Sequence, residues 1–332
     1  MRALVTGATG FIGSNLVEKL VEKGYIVKAF IRKENSEKRK DSLELLKRLK
    51  VEIVEGDLLD KESVKKAIKN IDTIFHLAAI ARPKAIPDKS YFDVNEGGTK
   101  NLLESCRDKK IKRIIIMSSV SAVGKSGDGI AVNEQTECRP VDVYGWSKLA
   151  EENVAMEYFN KYKMPIVILR PPMVFGERDF EMLKLFKAVS KRFFPIYGNE
   201  KCMEFLYVGN LVEACLLASK NGKSGEIYHI SNGEHYSINE VVHAIGKAEK
   251  KKVLPIKFPK FVFVSGGYFL ELIAKLFNFH PPFKHDTINW MTEKFWYSDI
   301  SKAQKELNYK PIFSLEEGTR RTADYYKKGG YL

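Results

Sequence analysis

Residues 6–13 read Thr6-Gly-Ala-Thr-Gly-Phe-Ile-Gly13, and this stretch decides the fold of the 332-residue chain. The apolar run 3–5 precedes it, and residues 14–23 after it place apolar side chains on one helical face. The order is therefore strand, glycine-rich turn and helix. A turn of this kind aims free backbone N–H groups and the positive end of a helix dipole at an anion.

Each glycine of this turn has a physical reason. Gly7 permits the tight turn, Gly10 lets the backbone approach a diphosphate, and Gly13 lets the helix pack closely on the strand. A purely structural turn also uses glycine, but the strand–turn–helix context favours a dinucleotide site. We expect that site to include Gly7, Thr9, Gly10, Phe11, Ile12 and Gly13.

Composition excludes several classes of protein. The chain is 44% hydrophobic and 29% charged, which indicates a globular rather than a disordered protein. Its four cysteines lack CxxC spacing, which argues against a disulfide framework or a zinc site and suits a reducing compartment. Because the first strand begins at once, we expect no signal peptide. The cysteine pattern leads us to expect a cytoplasmic location and no metal.

The formal net charge of +13 raises the question of a nucleic-acid partner. The lysines lie on predicted helix faces with glutamates nearby, as at Lys19, Glu22 and Lys23, which is typical of a solvated surface. No motif of a nucleic-acid-binding fold is present, so we expect no such partner. The excess charge instead favours small anionic ligands, including a phosphorylated cofactor.

Strand and helix patterns alternate through the first half of the chain. Strands are expected at 25–31, 51–54, 73–77, 113–117 and 166–169, and helices at 42–49, 62–68, 91–107 and 144–162. Repeated β-α units predict a parallel sheet with helices on both faces and a site at the carboxyl ends of the strands. The expected class is α/β, with a Rossmann-type doubly wound parallel sheet over 1–170 to which later segments return.

The second half, 171–332, predicts a smaller α+β lobe on the substrate side. Its pattern gives strands at 205–208 and 227–230 and helices at 211–218 and 239–250. The apolar stretch 261–279 contains two glycines and two charged residues, which argues against a transmembrane segment. An amphipathic helix that covers a pocket is favoured there, and contact with a membrane surface is the lesser alternative.

Tyr144 and Lys148 stand four residues apart and therefore share one face of the predicted helix. A lysine ammonium favours the phenolate and lowers a tyrosine pKa from its ordinary value near 10, so the phenol can exchange a proton with a carbinol or ketone oxygen. Ser119, after the strand 113–117, offers a hydroxyl to the same oxygen. Chance Tyr-x-x-x-Lys patterns occur on helices, but this position favours a catalytic site in which a nicotinamide supplies or accepts a hydride.

The chain resembles the extended short-chain dehydrogenase/reductase superfamily, also described as NAD-dependent epimerase/dehydratase-like, over nearly its whole length. The pattern is closest to the 3β-hydroxysteroid dehydrogenase and dihydroflavonol reductase branch. Besides the glycine turn, the resemblance rests on Gly56-Asp57-Leu58, His76-Leu77-Ala78-Ala79, 94–99, Ser118-Ser119, Tyr144 with Lys148, 170–176, and 299–309 with Pro311.

This resemblance implies that Ser119, Tyr144 and Lys148 are catalytic and that Lys148 also touches the nicotinamide ribose. Asn95 resembles an asparagine that bonds inside the central helix and steadies the site. The remaining implied cofactor contacts are Asp57 and Leu58 at the adenine, Leu77, Ala78 and Ala79 along the phosphate–ribose path, and Pro171 to Val174 against the nicotinamide.

The choice of cofactor depends on the end of the strand 25–31. NAD-selective members usually carry an acidic residue there, which accepts from the ribose hydroxyls. This chain has Arg32 and Lys33 instead, and both could pair with a 2′-phosphate. We therefore expect NADP, with NAD as the alternative if Arg32 stacks on adenine or faces solvent.

Three functions stay open, in this order: hydride transfer between the cofactor and a secondary alcohol or ketone, UDP-sugar 4-epimerisation with tightly bound NAD, and non-catalytic dinucleotide-binding regulation. Dehydratases usually carry Thr-Asp-Glu where this chain has 118–120, Ser-Ser-Val. Epimerases generally carry arginines for a diphosphate, and none stands just before 205–208 or 299, although Arg178 and Lys201 could partly substitute.

Aromatic residues are frequent over 258–283, as in the branches with hydrophobic substrates, although such rings also serve as ordinary core. This pattern favours hydride transfer on a small-molecule substrate. Ser121 joins Arg178 and Lys201 as a candidate substrate contact. The helices 91–107 and 144–162 resemble those that pair in a four-helix interface, so we expect a homodimer.

Overall fold

The computed structural model describes residues 1–32, 39–81, 86–125, 130–191, 193–197, 203–258, 265, 266, 268 and 297–332. The strands are β1 (Arg2–Thr6), β2 (Ile26–Ile31), β3 (Glu52–Glu55), β4 (Thr73–His76), β5 (Arg113–Met117), β6 (Ile166–Arg170), β7 (Met173–Phe175), β8 (Phe193–Tyr197), β9 (Phe205–Tyr207), β10 (Glu226–His229) and β11 (Leu254–Phe258).

The helices are α1 (Phe11–Glu22), α2 (Lys40–Arg48), α3 (Lys61–Ala67), α4 (Lys89–Phe92), α5 (Gly98–Cys106), α6 (Val143–Tyr162), α7 (Met182–Val189), α8 (Val208–Asn221), α9 (Ile238–Glu249) and α10 (Leu315–Lys328). A π-turn (Asp93–Gly97) joins α4 to α5, a 3₁₀ turn (Val120–Ala122) follows β5, and a second π-turn spans Ala303–Leu307.

Seven strands form one parallel sheet in the order β10-β6-β5-β4-β1-β2-β3. Val5 of β1 pairs with Ala29 of β2 on one side and with Phe75 of β4 on the other. The direction of chain progression reverses between β1 and β4, and that switch point opens a crevice at the carboxyl ends of the strands. The predicted doubly wound Rossmann-type fold is confirmed.

The central strands are apolar on both faces because helices cover both faces of the sheet. The side chains of Ile114, Ile115 and Ile116 in β5 are buried, as are Ala3 and Leu4 in β1. One core lies between the sheet and α3, α5 and α6. The other lies beneath α1, α2 and α8 and continues into the C-terminal half.

Two smaller parallel pairs extend the C-terminal half. β7 pairs with β9, and β8 pairs with β11. The segment predicted as a lobe strand at 227–230 is β10, which instead joins the main sheet beside β6. This segment therefore returns to the main sheet, and the division of the chain at residue 170 stays a prediction.

The helix expected over 91–107 is interrupted, because the π-turn Asp93–Gly97 separates α4 from α5. The apolar stretch 261–279 lies outside the described residues except for 265, 266 and 268. In the described part of the chain, no helix combines the length and apolar character that crossing a membrane requires.

Candidate active site

The glycine-rich turn lies between β1 and α1, at the switch point of the sheet. A Cβ on Gly13 would stand 2.2 Å from the Gly7 carbonyl oxygen, and Gly10 N donates to that same oxygen at 2.8 Å. Helix α1 begins without a side-chain cap and without an acidic residue in its first turn. Its N-terminal N–H groups and this tight backbone cradle fit a dinucleotide diphosphate.

Gly7 also brings β1 against β4. Its φ is +69°, and a Cβ there would stand 2.9 Å from Ala78 N. The N–H groups of Leu77 and Ala78 both donate to Thr6 Oγ1 at 3.1 Å. The sequence-predicted residues 77 and 78 therefore lie beside the glycine turn, where the phosphate–ribose path was expected.

Asp57 and Leu58 follow β3 at the same edge of the sheet. Asp57 Oδ1 accepts from Leu59 N at 2.9 Å, which holds the turn after β3. Leu58 is buried, and a Cβ on Gly98 would lie 3.0 Å from its Cβ, so this side chain packs against α5. Contact of these two residues with adenine stays a prediction.

Arg39 is a residue that sequence reasoning missed. It directly precedes α2, and its Nη1 donates to Thr9 Oγ1 of the glycine turn at 3.3 Å. Arg32 follows β2 at the carboxyl edge, whereas Lys33 lies outside the described residues. The sequence feature that could have revealed Arg39 is a cation at the start of the helix after β2. The glycine motif 6–13 does not extend to that position.

Tyr144 lies in the first turn of α6, which Asp142 caps by accepting from Gly145 N at 2.7 Å. Ser119 caps the 3₁₀ turn after β5 and is buried, with its Oγ accepting from Ser121 N at 3.1 Å. The pKa of Tyr144 is raised above its ordinary value, because the effect of burial outweighs the lowering by the Lys148 ammonium and by the hydrogen bond with Ser119; the net lowering expected from the sequence is therefore wrong. The predicted phenol and hydroxyl therefore meet.

Lys148 lies one turn further along α6 and reaches the end of β5. Its Nζ donates to the Met117 carbonyl oxygen at 2.6 Å and forms an ion pair with Glu151. The helix and the neighbouring strand thus fix the ammonium from two sides. The three predicted catalytic side chains converge at the carboxyl end of β5.

A buried polar chain that the sequence did not reveal extends from Glu151. Thr99 Oγ1 lies 3.0 Å from Glu151 Oε1 and 2.9 Å from His76 Nε2, and His76 Nδ1 lies 2.8 Å from Thr6 Oγ1. Burial, aided by the Lys148 charge, lowers the pKa of His76 to about 3, so its ring is neutral at physiological pH. The chain connects the catalytic helix with the strand end beside the glycine turn.

Asn95 sits in the π-turn, fully buried. Its Oδ1 accepts from Ile80 N at 2.8 Å, and its Nδ2 donates to Ile80 O at 3.1 Å and to Ser147 Oγ at 2.9 Å. Ser147 Oγ in turn donates to the Tyr144 carbonyl oxygen. Asn95 thus acts inside the helix layer and holds the segment after β4 against α6; a direct cofactor contact stays a prediction.

Pro171 and Val174 lie after β6, facing the end of β5. The Pro171 carbonyl accepts from Val120 N at 3.0 Å, and Val174 of β7 pairs with Leu206 of β9. These contacts align the loop after β6 with Ser119. Contact of Pro171 and Val174 with the nicotinamide stays a prediction.

Of the candidate substrate residues, Arg178 and Ser121 are described, and they have different surroundings. Arg178 Nη2 donates to Asn15 Oδ1 at 2.5 Å and to Glu18 Oε2 at 2.8 Å, so its guanidinium is held by α1. Ser121 lies in the 3₁₀ turn beside Ser119. Lys201 lies outside the described residues. Substrate contact by these three residues stays a prediction.

Glu204 links the substrate side to the C-terminal segment. It accepts from Ser298 N at 3.1 Å and from Ser298 Oγ at 2.6 Å, just before β9. Burial raises the pKa of Glu204 to about 7, although the hydrogen bonds from Ser298 lower it in part. Across the described ranges, no cluster of three or more His, Cys, Asp or Glu side chains could hold a metal ion.

The sequence model of the NAD dependent epimerase/dehydratase family matches residues 3–231. The chain belongs to this family. It is an enzyme of the extended short-chain dehydrogenase/reductase type, as its sequence resemblance predicted.

Relatives with different reactions align along almost the whole chain. Mouse (Mus musculus) sterol-4-alpha-carboxylate 3-dehydrogenase, decarboxylating, is 24% identical over 98% of this chain and 91% of its own. The N-acetyl-alpha-D-glucosaminyl-diphospho-ditrans,octacis-undecaprenol 4-epimerase of Escherichia coli O157:H7 is 28% identical, covering 97% and 94%. The structure of UDP-glucuronic acid 4-epimerase from Bacillus cereus in complex with NAD superimposes with a TM-score of 0.79 at 26% identity, over 100% of both chains.

Proposed function

We propose that this enzyme transfers a hydride between a nicotinamide cofactor and a carbon that bears a secondary alcohol or ketone. One observation carries the proposal: the Ser119 and Tyr144 hydroxyls and the Lys148 ammonium converge at the carboxyl end of β5. That edge of the sheet also carries the glycine turn.

The protein's own groups handle the proton and the substrate oxygen. Tyr144 donates its phenolic proton to the oxygen in reduction and accepts it in oxidation. Ser119 donates a hydrogen bond to the same oxygen, and the Lys148 ammonium favours the phenolate state of Tyr144. When bound, the nicotinamide supplies or accepts the hydride.

For the cofactor we propose NADP, with NAD as the alternative. Arg32 follows β2, and Arg39 contacts the glycine turn through Thr9, so two arginines near this end of the sheet are available to pair with a 2′-phosphate, which supports the proposal. The family's dependence on NAD and the NAD in the Bacillus cereus neighbour favour the alternative. Direct comparison of the two affinities decides between them.

A second candidate is nucleotide-sugar or diphospho-sugar 4-epimerisation. The 28% identity to the Escherichia coli epimerase and the fit to the Bacillus cereus epimerase favour it. The same Ser119, Tyr144 and Lys148 would serve, because an epimerase oxidises and re-reduces one carbon. The alignment with a sterol dehydrogenase supports net hydride transfer instead.

The test follows nicotinamide absorbance with a panel of ketones and secondary alcohols, and product analysis with UDP-sugars. Net absorbance change with a ketone supports the reductase, whereas sugar isomers formed without net change support the epimerase. Tyr144→Phe should lower kcat at least about 100-fold in either case. Wild-type turnover by a folded Tyr144→Phe protein would exclude Tyr144 from the mechanism.

We further propose a small-molecule substrate and a homodimer built on the helical segments 91–107 and 144–162, with a cytoplasmic site of action. Trp146 of α6 is half exposed in the single chain, so an apolar ring is available for such an interface. Light scattering at micromolar concentration should give twice the mass of one chain. A monomer at that concentration would contradict the dimer.

A further inference from the structure

The Lys148 ammonium has a buried carboxylate partner that the proposed reaction does not use. Glu151 stands three residues further along α6 and forms an ion pair with Lys148 Nζ, and both side chains are only 1% exposed. Burying a carboxylate is costly unless it is paired and hydrogen-bonded. Because this pair is buried and lies on the helix that carries Tyr144, it affects the electrostatic field at the Tyr144 hydroxyl.

The carboxylate is held in place from two neighbouring elements. Thr99 of α5 approaches Glu151 Oε1 at 3.0 Å, and His76 Nε2 of β4 lies 3.7 Å from the same oxygen. Because the pKa of His76 is lowered to about 3, its ring carries no charge that would offset the carboxylate. Glu151 is therefore fixed beside Lys148 as a negative charge whenever it is ionised.

We propose that Glu151 is a positioning residue for the reaction: its carboxylate pairs with the Lys148 ammonium and thereby weakens the field with which that ammonium favours the Tyr144 phenolate. This inference rests on the proposed function, in which Tyr144 exchanges a proton with the substrate oxygen. Glu151 sets the pH range of that exchange without touching the substrate.

No other group named here as a neighbour of the Lys148–Glu151 ion pair offsets the Lys148 charge as directly as Glu151 does. Tyr144 faces Lys148 and Ser119, with the Asp142 carboxylate at the start of the same helix. Glu152 is the neighbouring carboxylate, but the Arg170 guanidinium holds it with two hydrogen bonds. Met117 contributes a neutral carbonyl oxygen from β5.

The directions of the pKa shifts agree with this arrangement. Lys148 lowers the pKa of Tyr144, whereas Glu151 and Asp142 raise it, and burial raises it most. Burial also raises the pKa of Glu151, against the effect of Lys148. The influence of the carboxylate therefore grows as the pH rises through the pKa of Glu151.

The test is Glu151→Gln, which keeps the size of the side chain and one accepting oxygen but removes the charge. In the alcohol-oxidising direction the active form holds the Tyr144 phenolate, so kcat/KM rises with pH through the pKa of Tyr144. Without the carboxylate, Lys148 stabilises the phenolate more strongly. The rising limb should move about one unit toward lower pH.

A second readout does not depend on turnover. Ultraviolet difference titration reports phenolate formation, and subtraction of the Tyr144→Phe titration isolates the band of Tyr144. The midpoint should shift toward lower pH in Glu151→Gln. If no substrate is turned over, the proposed reaction fails while this titration still decides the role of Glu151.

Glu157→Gln is the matched control, because it removes one exposed carboxylate from the same helix and should leave both midpoints unchanged. Glu151→Asp restores the charge and should return the midpoint toward that of the wild type. If Glu151→Gln does not fold, Glu151→Met carries the test. An unchanged Tyr144 midpoint, or one shifted toward higher pH, would overturn the inference.

Discussion

Arg170, the last residue of β6, donates Nε to Glu152 Oε1 at 2.9 Å and Nη2 to Glu152 Oε2 at 2.6 Å. Both side chains are buried, so this two-point ion pair clamps helix α6 to the sheet. Ser118 Oγ also donates to Glu152 Oε1. The residue before Ser119 is therefore part of the same buried cluster as Arg170 and Glu152.

Removing one partner of this pair should be strongly destabilising. Glu152→Gln leaves the Arg170 guanidinium buried without its counter-ion, which costs about 3–5 kcal/mol of unfolding free energy. Urea unfolding followed by circular dichroism measures the loss. Glu137→Gln, which removes the partner of the exposed Arg139, is the control and should leave the midpoint almost unchanged. Equal midpoints for the two variants would mean that the clamp does not stabilise the fold.

The glycine cradle should exclude even one methyl group. Gly13→Ala brings a Cβ to 2.2 Å from the Gly7 carbonyl oxygen, so either the turn or α1 must shift. We expect cofactor affinity to fall at least about tenfold, or ~1.4 kcal/mol, in isothermal titration calorimetry. Gly97→Ala is the control, because its Cβ meets no atom closer than 3.9 Å and its backbone is helical. Unchanged affinity in Gly13→Ala would show that the turn does not hold the diphosphate.

Glu204 should make the fold less stable as the pH rises. Its pKa is about 7 in the folded protein and 4.5 in its ordinary environment, so between these values the folded state binds more protons. Stability that is present at low pH is therefore lost between pH 4.5 and about 7, by about 3 kcal/mol at most. Melting temperatures measured across this range should fall less steeply for Glu204→Gln than for the wild type. Parallel curves would contradict the raised pKa.

Arg39 should distinguish the two cofactors. If it pairs with a 2′-phosphate, Arg39→Gln should weaken NADP binding about tenfold, or ~1.4 kcal/mol, and leave NAD binding nearly unchanged. Arg48→Gln removes the same charge from an exposed position at the end of α2 and serves as the control. Equal losses of affinity for the two dinucleotides in the Arg39 variant would exclude a specific 2′-phosphate contact.

Local pattern was enough to predict six of the seven strands of the sheet, β1 to β6, because each of them is a short apolar run that ends at small or polar residues. The prediction for β5 matches Arg113–Met117 without error, and α6 starts one residue earlier than expected. The Ser119, Tyr144 and Lys148 convergence was also predictable, since it needs only a strand end and one helix face.

Contacts that join distant segments could not be predicted in this way. Glu151 and His76 are 75 positions apart in the sequence and meet only because the fold brings α6 close to the end of β4. Strand β10 was assigned to the C-terminal lobe for a similar reason. The pattern of Glu226–His229 predicts a strand, but it does not show that this strand pairs with β6. Arg39 belongs to no periodic pattern in the sequence. It reaches Thr9 only because of the path that the chain takes into α2.

The π-turn Asp93–Gly97 inserts an extra residue into the helix between α4 and α5. Each residue of a regular helix turns the chain by about 100°, so deleting one residue there would rotate one end of the helix against the other. Asn95 would then miss Ile80, or Thr99 would miss His76. The extra residue thus sets the rotation of α5 relative to α4. A one-residue deletion there would disturb the site more than most substitutions in the same turn.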